Sequence, residues 1–94
     1  MKKQFIKDIQ NYLLEVDSDN FSQKYDGLIL IITKYNEKGL GKLTIISSLN
    51  QFYDDYSEIL TVYQDEVYLE VINCILGFCT ISQQINLVNY ENSP

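Results

Sequence analysis

The chain has 94 residues, 46% of apolar types and 21% charged, a length and balance that support one hydrophobic core and exclude both a second domain and a wholly disordered chain. It contains no histidine and no arginine, so it lacks the commonest near-neutral acid–base group and the side chain best suited to clamp a phosphate or read a base edge. Its formal charge of −6 is unevenly placed: residues 1–42 hold seven lysines and six acids, net +1, whereas residues 43–94 hold seven acids and no basic residue, net −7. Such a field repels phosphates and attracts cationic surfaces.

Phe5, Ile9, Tyr12, Leu13 and Val16 fall on one stripe with Lys3, Lys7, Gln10 and Asn11 opposite, which predicts an amphipathic helix over residues 2–16. The run Asp17-Ser18-Asp19-Asn20 breaks it and offers short polar side chains to the free amides of the next helix. That second helix is expected from about 20 to 38, with Phe21, Tyr25, Leu28, Ile29, Ile32 and Tyr35 inward and Gln23, Lys24, Lys34 and Glu37 outward. Residues 28–33 read alternatively as a buried strand, since Ile and Thr favour that state, but the flanking period favours helix. Gly39-Leu40-Gly41 then makes a corner. The following Gly41-Lys42-Leu43 has neither the spaced glycines of a dinucleotide fingerprint nor the Gly-Lys-Ser or Gly-Lys-Thr ending of a Walker loop.

A third helix from about 44 to 62 would bury Ile45, Leu49, Phe52, Tyr56, Ile59, Leu60 and Tyr63, leaving Asp54, Asp55 and Glu58 outside. Asp54 and Glu58 would lie one turn apart and repel, unless a lysine from elsewhere or a partner neutralises them. A fourth helix is expected from Gln64 or Asp65 to about Cys79, with Asp65, Glu66 and Glu70 in its first turns, where the helix dipole favours negative charge. Val67, Val71, Cys74, Ile75 and Phe78 form one face of it, and Tyr68, Ile72 and Leu76 widen that face. It should be the most buried helix, with Gly77 allowing a close crossing.

Beyond Cys79, Ile81, Ile85 and Val88 share a helical face, so the last helix either continues or is followed by a short additional one, and residues 89–94 read as a frayed tail. The predicted architecture is all-α: one domain over residues 1–94, a compact antiparallel four-helix bundle. Cys74 and Cys79, five apart, point to different sides of a helix and read as free buried thiols of a reducing compartment. Met1-Lys2-Lys3 is not followed by a long apolar stretch, and Leu28 to Ile32 is too short to span a bilayer, so a cytoplasmic location without membrane association is expected.

Chemistry is sparse. Two cysteines separated by four residues and no histidine do not make a zinc site, and the acids lack the spacing and central glycine of a calcium loop, so no metal or other cofactor is expected. A bundle of this size seldom holds two acids across a cleft, which argues against an enzyme. The lysines are interspersed with acids, which argues against direct nucleic-acid binding.

What remains is the acidic half and its tyrosines. Tyr53, Tyr56, Tyr63 and Tyr68 interleave with Asp54, Asp55, Glu58, Asp65 and Glu66, a combination suited to binding a basic protein, because the rings supply buried area and the acids supply steering. Tyr56 and Tyr63 also fit the apolar stripe, so Tyr53 and Tyr68 are the better candidates for exposure. The candidate protein-binding residues are Tyr53, Asp54, Asp55, Glu58, Asp65, Glu66, Tyr68 and Glu70. The competing account is an acidic surface that serves solubility alone.

The first helix Phe5–Val16, Phe21-Ser22-Gln23-Lys24-Tyr25, the central Leu49-Asn50-Gln51-Phe52-Tyr53-Asp54-Asp55 and Glu66-Val67-Tyr68-Leu69-Glu70-Val71 before Ile75-Leu76 resemble the small acidic, all-helical immunity proteins of the colicin D immunity group. The similarity runs loosely over about residues 4–78. The resemblance implies a four-helix domain without catalysis that places carboxylates in the basic substrate cleft of a cognate secreted nuclease toxin. Asp54, Asp55, Glu58, Asp65, Glu66 and Glu70 would then stand in for substrate phosphates, and Tyr53 or Tyr68 would anchor the contact. The separate group that inhibits DNase colicins uses an adjacent tyrosine pair, which this chain lacks. The alternative from another class is a helical adaptor or regulator acting through homodimerisation or an apolar peptide groove. A phage-encoded nucleic-acid mimic would share the acidic face.

Overall fold

Four α-helices make up the domain: α1 Lys2–Leu14, α2 Phe21–Glu37, α3 Lys42–Tyr56 and α4 Val62–Leu76. The structure is a computed structural model and describes residues 1–79 and 84–90. It is an all-α bundle in which α4 packs most extensively on α2, while α1 packs against both α2 and α3. The stripe predicted for α1 is the one that is buried: Phe5, Ile9, Leu13 and Val16 are sealed from solvent, with Tyr12 at the rim. Each such side chain contributes about 1.5–3 kcal/mol relative to exposure. Leu28 and Ile32 of α2, Ile45, Leu49 and Phe52 of α3, and Val67, Val71 and Ile75 of α4 close on them. Residues 28–33 are helical, because the apolar positions before and after them continue the same period.

The helix ends follow local chemistry. Between α1 and α2 the polar run folds on itself: Asp17 Oδ1 accepts the amides of Asp19 and Asn20 at 2.9 and 3.1 Å, and Asn20 accepts the Asp17 amide at 2.8 Å. These side chains were expected to cap α2, but no side chain caps its N-terminus; the turn's own amides compete for the same oxygens. At the other end of α2, Gly39 adopts φ 112°, and the amides of Gly39 and Leu40 bond to the carbonyls of Asn36 and Tyr35, both at 3.0 Å. This paired C-terminal closure needs the left-handed conformation that glycine adopts without steric cost.

The predicted boundary between α3 and α4 is wrong. Helix α3 stops at Tyr56 rather than near residue 62, and α4 starts at Val62 rather than at Gln64 or Asp65. The cause is a reciprocal cap at Thr61 and Gln64: the Thr61 hydroxyl accepts the Gln64 amide at 3.2 Å and the Gln64 side chain accepts the Thr61 amide at 3.0 Å. The buried Gln64 side chain also donates to the carbonyls of Leu14 and Val16, each at 3.3 Å, tying the start of α4 to the end of α1. Glu58 and Ile59 therefore sit in a turn.

Helix α4 is the most buried of the four, as expected. Gly77, however, does not serve a close crossing: it ends the helix with φ 89°, and the Phe78 amide bonds to the Asn73 carbonyl at 2.8 Å. Phe78, expected on the buried face, lies beyond this end and is exposed by 77%, while Leu76, still within α4, falls with Leu69 and Asn73 on its exposed side. The helix is not extended either. Residues 84–89 run without helix alongside the bundle, with Ile85 buried and its amide bonded to the Cys74 carbonyl at 3.1 Å. Buried Asn36 of α2 fastens this segment: its amide group donates to the carbonyls of Leu40 and Val88, each at 2.9 Å, and its oxygen accepts the Val88 amide at 2.9 Å. Asn89, placed in the frayed tail, is half-buried. Ile81 and residues 91–94 lie outside the described residues.

Candidate protein-interaction site

The last turn of α3 faces the first turns of α4, and this brings Tyr53, Asp65 and Tyr68 together. The rings of Tyr53 and Tyr68 stack with centroids 4.6 Å apart and planes 10° apart. The Tyr53 hydroxyl donates to Asp65 at 2.5 Å and the Tyr68 hydroxyl to the Leu49 carbonyl at 2.9 Å. The bond to Asp65 raises the Tyr53 phenol above its ordinary value, because ionisation would set two negative charges against each other. Burial, aided by nearby Tyr53 and Asp54, raises Tyr68 further. Both phenols stay protonated at neutral pH and act as donors.

The expected exposure of Tyr68 is corrected: it is 3% accessible and belongs to the core. Its ring contact with Tyr53 and its bond to the Leu49 carbonyl direct it from α4 toward α3, and the wide apolar arc of α4 takes it in. Tyr53 is half-buried and lies over it. Tyr63, expected in the core stripe of α3, instead lies in the first turn of α4, is 38% exposed and rests against Phe21 with centroids 5.3 Å apart. Ile59, also placed in that stripe, is 66% exposed in the turn. With α3 ending six residues earlier than expected, Ile59 and Tyr63 leave its apolar stripe, a change that periodicity alone does not reveal.

The candidate acids separate into two sets. Asp54, Asp55 and Glu58 are exposed at the end of α3 and in the turn, with half-buried Asp65 beside them on Tyr53. Glu66 is one residue on from Asp65, about 100° round the helix, and with Glu70 it faces α2, along a groove of about 230 Å³ lined also by Phe21, Ser22, Tyr25 and Val67. The eight residues thus do not form a single patch.

Among the described residues the one ion pair is Lys24–Glu15 at 3.2 Å, in the first half of the chain. Lys24 also lies 4.4 Å above the Tyr12 ring, and Lys38 5.5 Å from that of Tyr35. Among the described residues no lysine forms an ion pair with Asp54, Asp55, Glu58, Asp65, Glu66 or Glu70.

Cys74 and Cys79 are free; Cys74 is buried and Cys79 half-buried. A hydrogen bond with Cys74 is the main reason that the Cys79 thiol is pushed up to about 11, which leaves it protonated and weakly nucleophilic at neutral pH. No group of three or more metal-ligating side chains converges among the described residues, and no helix there is long and apolar enough to cross a membrane. No family model, curated protein or solved structure matches the chain.

Proposed function

We propose that the protein is an inhibitor of the immunity type, which binds a cognate secreted nuclease toxin one-to-one and occludes its basic substrate cleft. The observation that carries this reading is that Asp54, Asp55, Glu58, Asp65, Glu66 and Glu70 have no lysine ion-pair partner among the described residues. Asp54, Asp55 and Glu58 would enter the cleft in place of phosphates, and half-buried Tyr53, fixed by Asp65, would present its ring edge at the contact. Steering by the acidic field would make association fast and sensitive to salt, and desolvated aromatic contacts would slow dissociation.

The test is calorimetric titration of the protein into a catalytically inactive nuclease domain with a basic cleft, taken from a toxin gene found next to its own. Tight one-to-one binding supports the reading, and absence of heat together with absence of co-elution overturns it. A second reading, self-association as a helical adaptor, draws on the exposed pair Leu76 and Phe78 beside the end of α4. It requires a homodimer by light scattering that persists at high salt.

A further inference from the structure

Glu66 and Glu70 stand one turn apart on α4, both exposed, and edge the α2–α4 groove whose walls include the rings of Phe21 and Tyr25. The same Tyr25 and Glu70 line an adjoining groove of about 450 Å³ that continues along α2 past Ile29 to Gln84. The aromatic walls are held in place. The Tyr25 hydroxyl shares a hydrogen bond with Cys74 Sγ at 3.3 Å, and Phe21 is backed by Tyr63. Lys24, the lysine nearest in sequence to these rings, is bonded to Glu15 and lies over Tyr12, on the α1 side of α2.

We infer that this groove takes an arginine side chain from a basic polypeptide segment, its guanidinium lying against the Phe21 and Tyr25 rings and bridging Glu66 and Glu70. Charge complementarity decides the occupant: two like charges four residues apart on a helix repel until a cation sits between them, and aromatic faces attract the same cation. A planar guanidinium stacks and presents its N–H fork to carboxylates at once, which an ammonium does not. The size agrees, since about 230 Å³ is below the roughly 300–1,000 Å³ of pockets that enclose a whole small molecule. The adjoining groove leaves a path for the rest of an extended chain. The inference rests on the reading that the partner is a basic protein, and it adds a subsite apart from the carboxylates at the end of α3.

The experiment is a titration of the ¹⁵N-labelled full chain with end-blocked hexa-arginine at low salt, followed by two-dimensional NMR, with hexa-lysine in parallel. Amide shifts should concentrate at residues 21–25 and 66–70. The E66Q/E70Q double variant should weaken hexa-arginine about tenfold, D54N/D55N less than twofold, and hexa-lysine should bind several-fold more weakly than hexa-arginine. Shifts centred on Asp54 and Asp55, shifts spread evenly over all acids, or no shifts at all would overturn the groove. The same variants in the nuclease titration keep the two readings apart. A groove that binds hexa-arginine while the nuclease domain gives no heat removes the toxin partner and keeps the subsite. Nuclease binding that E66Q/E70Q leaves unchanged, with no shift at the groove, removes the subsite and keeps the toxin partner.

Discussion

Tyr53 lies flat on Tyr68 with ring centroids 4.6 Å apart, so the half-exposed ring of α3 covers the buried ring of α4. One tyrosine faces outward only because the other is its floor. Tyr68→Ala should cost about 3–5 kcal/mol, the range for large aromatic truncations in a core. Tyr68→Phe, which removes the bond to the Leu49 carbonyl alone, should cost about 1 kcal/mol. Urea denaturation checks both; similar small losses for the two variants would mean that the ring is not part of the core.

Gly27 gives a second coupling, between α1 and α2. A Cβ at Gly27 would come within 1.8 Å of the Tyr12 hydroxyl oxygen. Glycine to alanine within a helix normally gains about 1 kcal/mol. Here Gly27→Ala should bring no gain or a loss, because the Tyr12 ring must move and leave Lys24. In a Tyr12→Ala background the same change should recover the gain. A double-mutant cycle from urea midpoints measures this coupling, and equal effects in both backgrounds would refute it.

Asn36 should be among the most sensitive polar positions. Asn36→Ala removes three hydrogen bonds that pin Leu40 and Val88, with an expected loss of about 2–3 kcal/mol. The segment around Leu87 and Tyr90 should then be cleaved by chymotrypsin well before the helices, which mass spectrometry of a digestion time course would record.

The bond from the Tyr35 hydroxyl to Asp8 links stability to pH at both extremes. It is the main cause that holds the Asp8 carboxyl below its ordinary value of 3.8, with the Gln4 amide second. A lowered carboxyl contributes stability above its unfolded value, which is lost as pH falls through the folded one. The same bond pushes Tyr35 up to about 12 from 10.0. That contribution is complete below about pH 10 and is lost as pH rises toward about 12. The stability gap between the protein and its Tyr35→Phe variant should therefore be widest near neutrality and narrow on both sides. Urea midpoints at pH 3, 7 and 11.5 check the profile, and a constant gap would show that the bond is not formed.

Replacing Asp54 and Asp55 with Asn and Glu58 with Gln should leave folding unchanged or slightly improved, because exposed like charges are removed. Under the proposed function, association with a nuclease partner should slow at least tenfold at low salt and lose much of its salt dependence. Stopped-flow rates over a salt series provide the check, and an unchanged rate constant would exclude these residues from the encounter surface.

The sequence by itself determined the all-helical class, the four helices, the buried stripe of α1 and the division of charge. Those features rest on the spacing of apolar side chains and on counts of ionisable groups, which are local or additive. Gly39 as a helix end was legible for the same reason. Gly77 and the Thr61–Gln64 cap carry local signals too, but an apolar period runs across both and masks them. Tertiary structure alone decided which tyrosine is core. Tyr53 and Tyr68 have similar acidic neighbours in sequence, yet only Tyr68 points from α4 into the space closed by α3. It also decided that the carboxylates fall into two sets, since Asp65 and Glu66 are adjacent in the chain and face different helices. The direction of a side chain follows from where its helix begins and what packs against it, and both are settled by contacts between residues far apart in sequence.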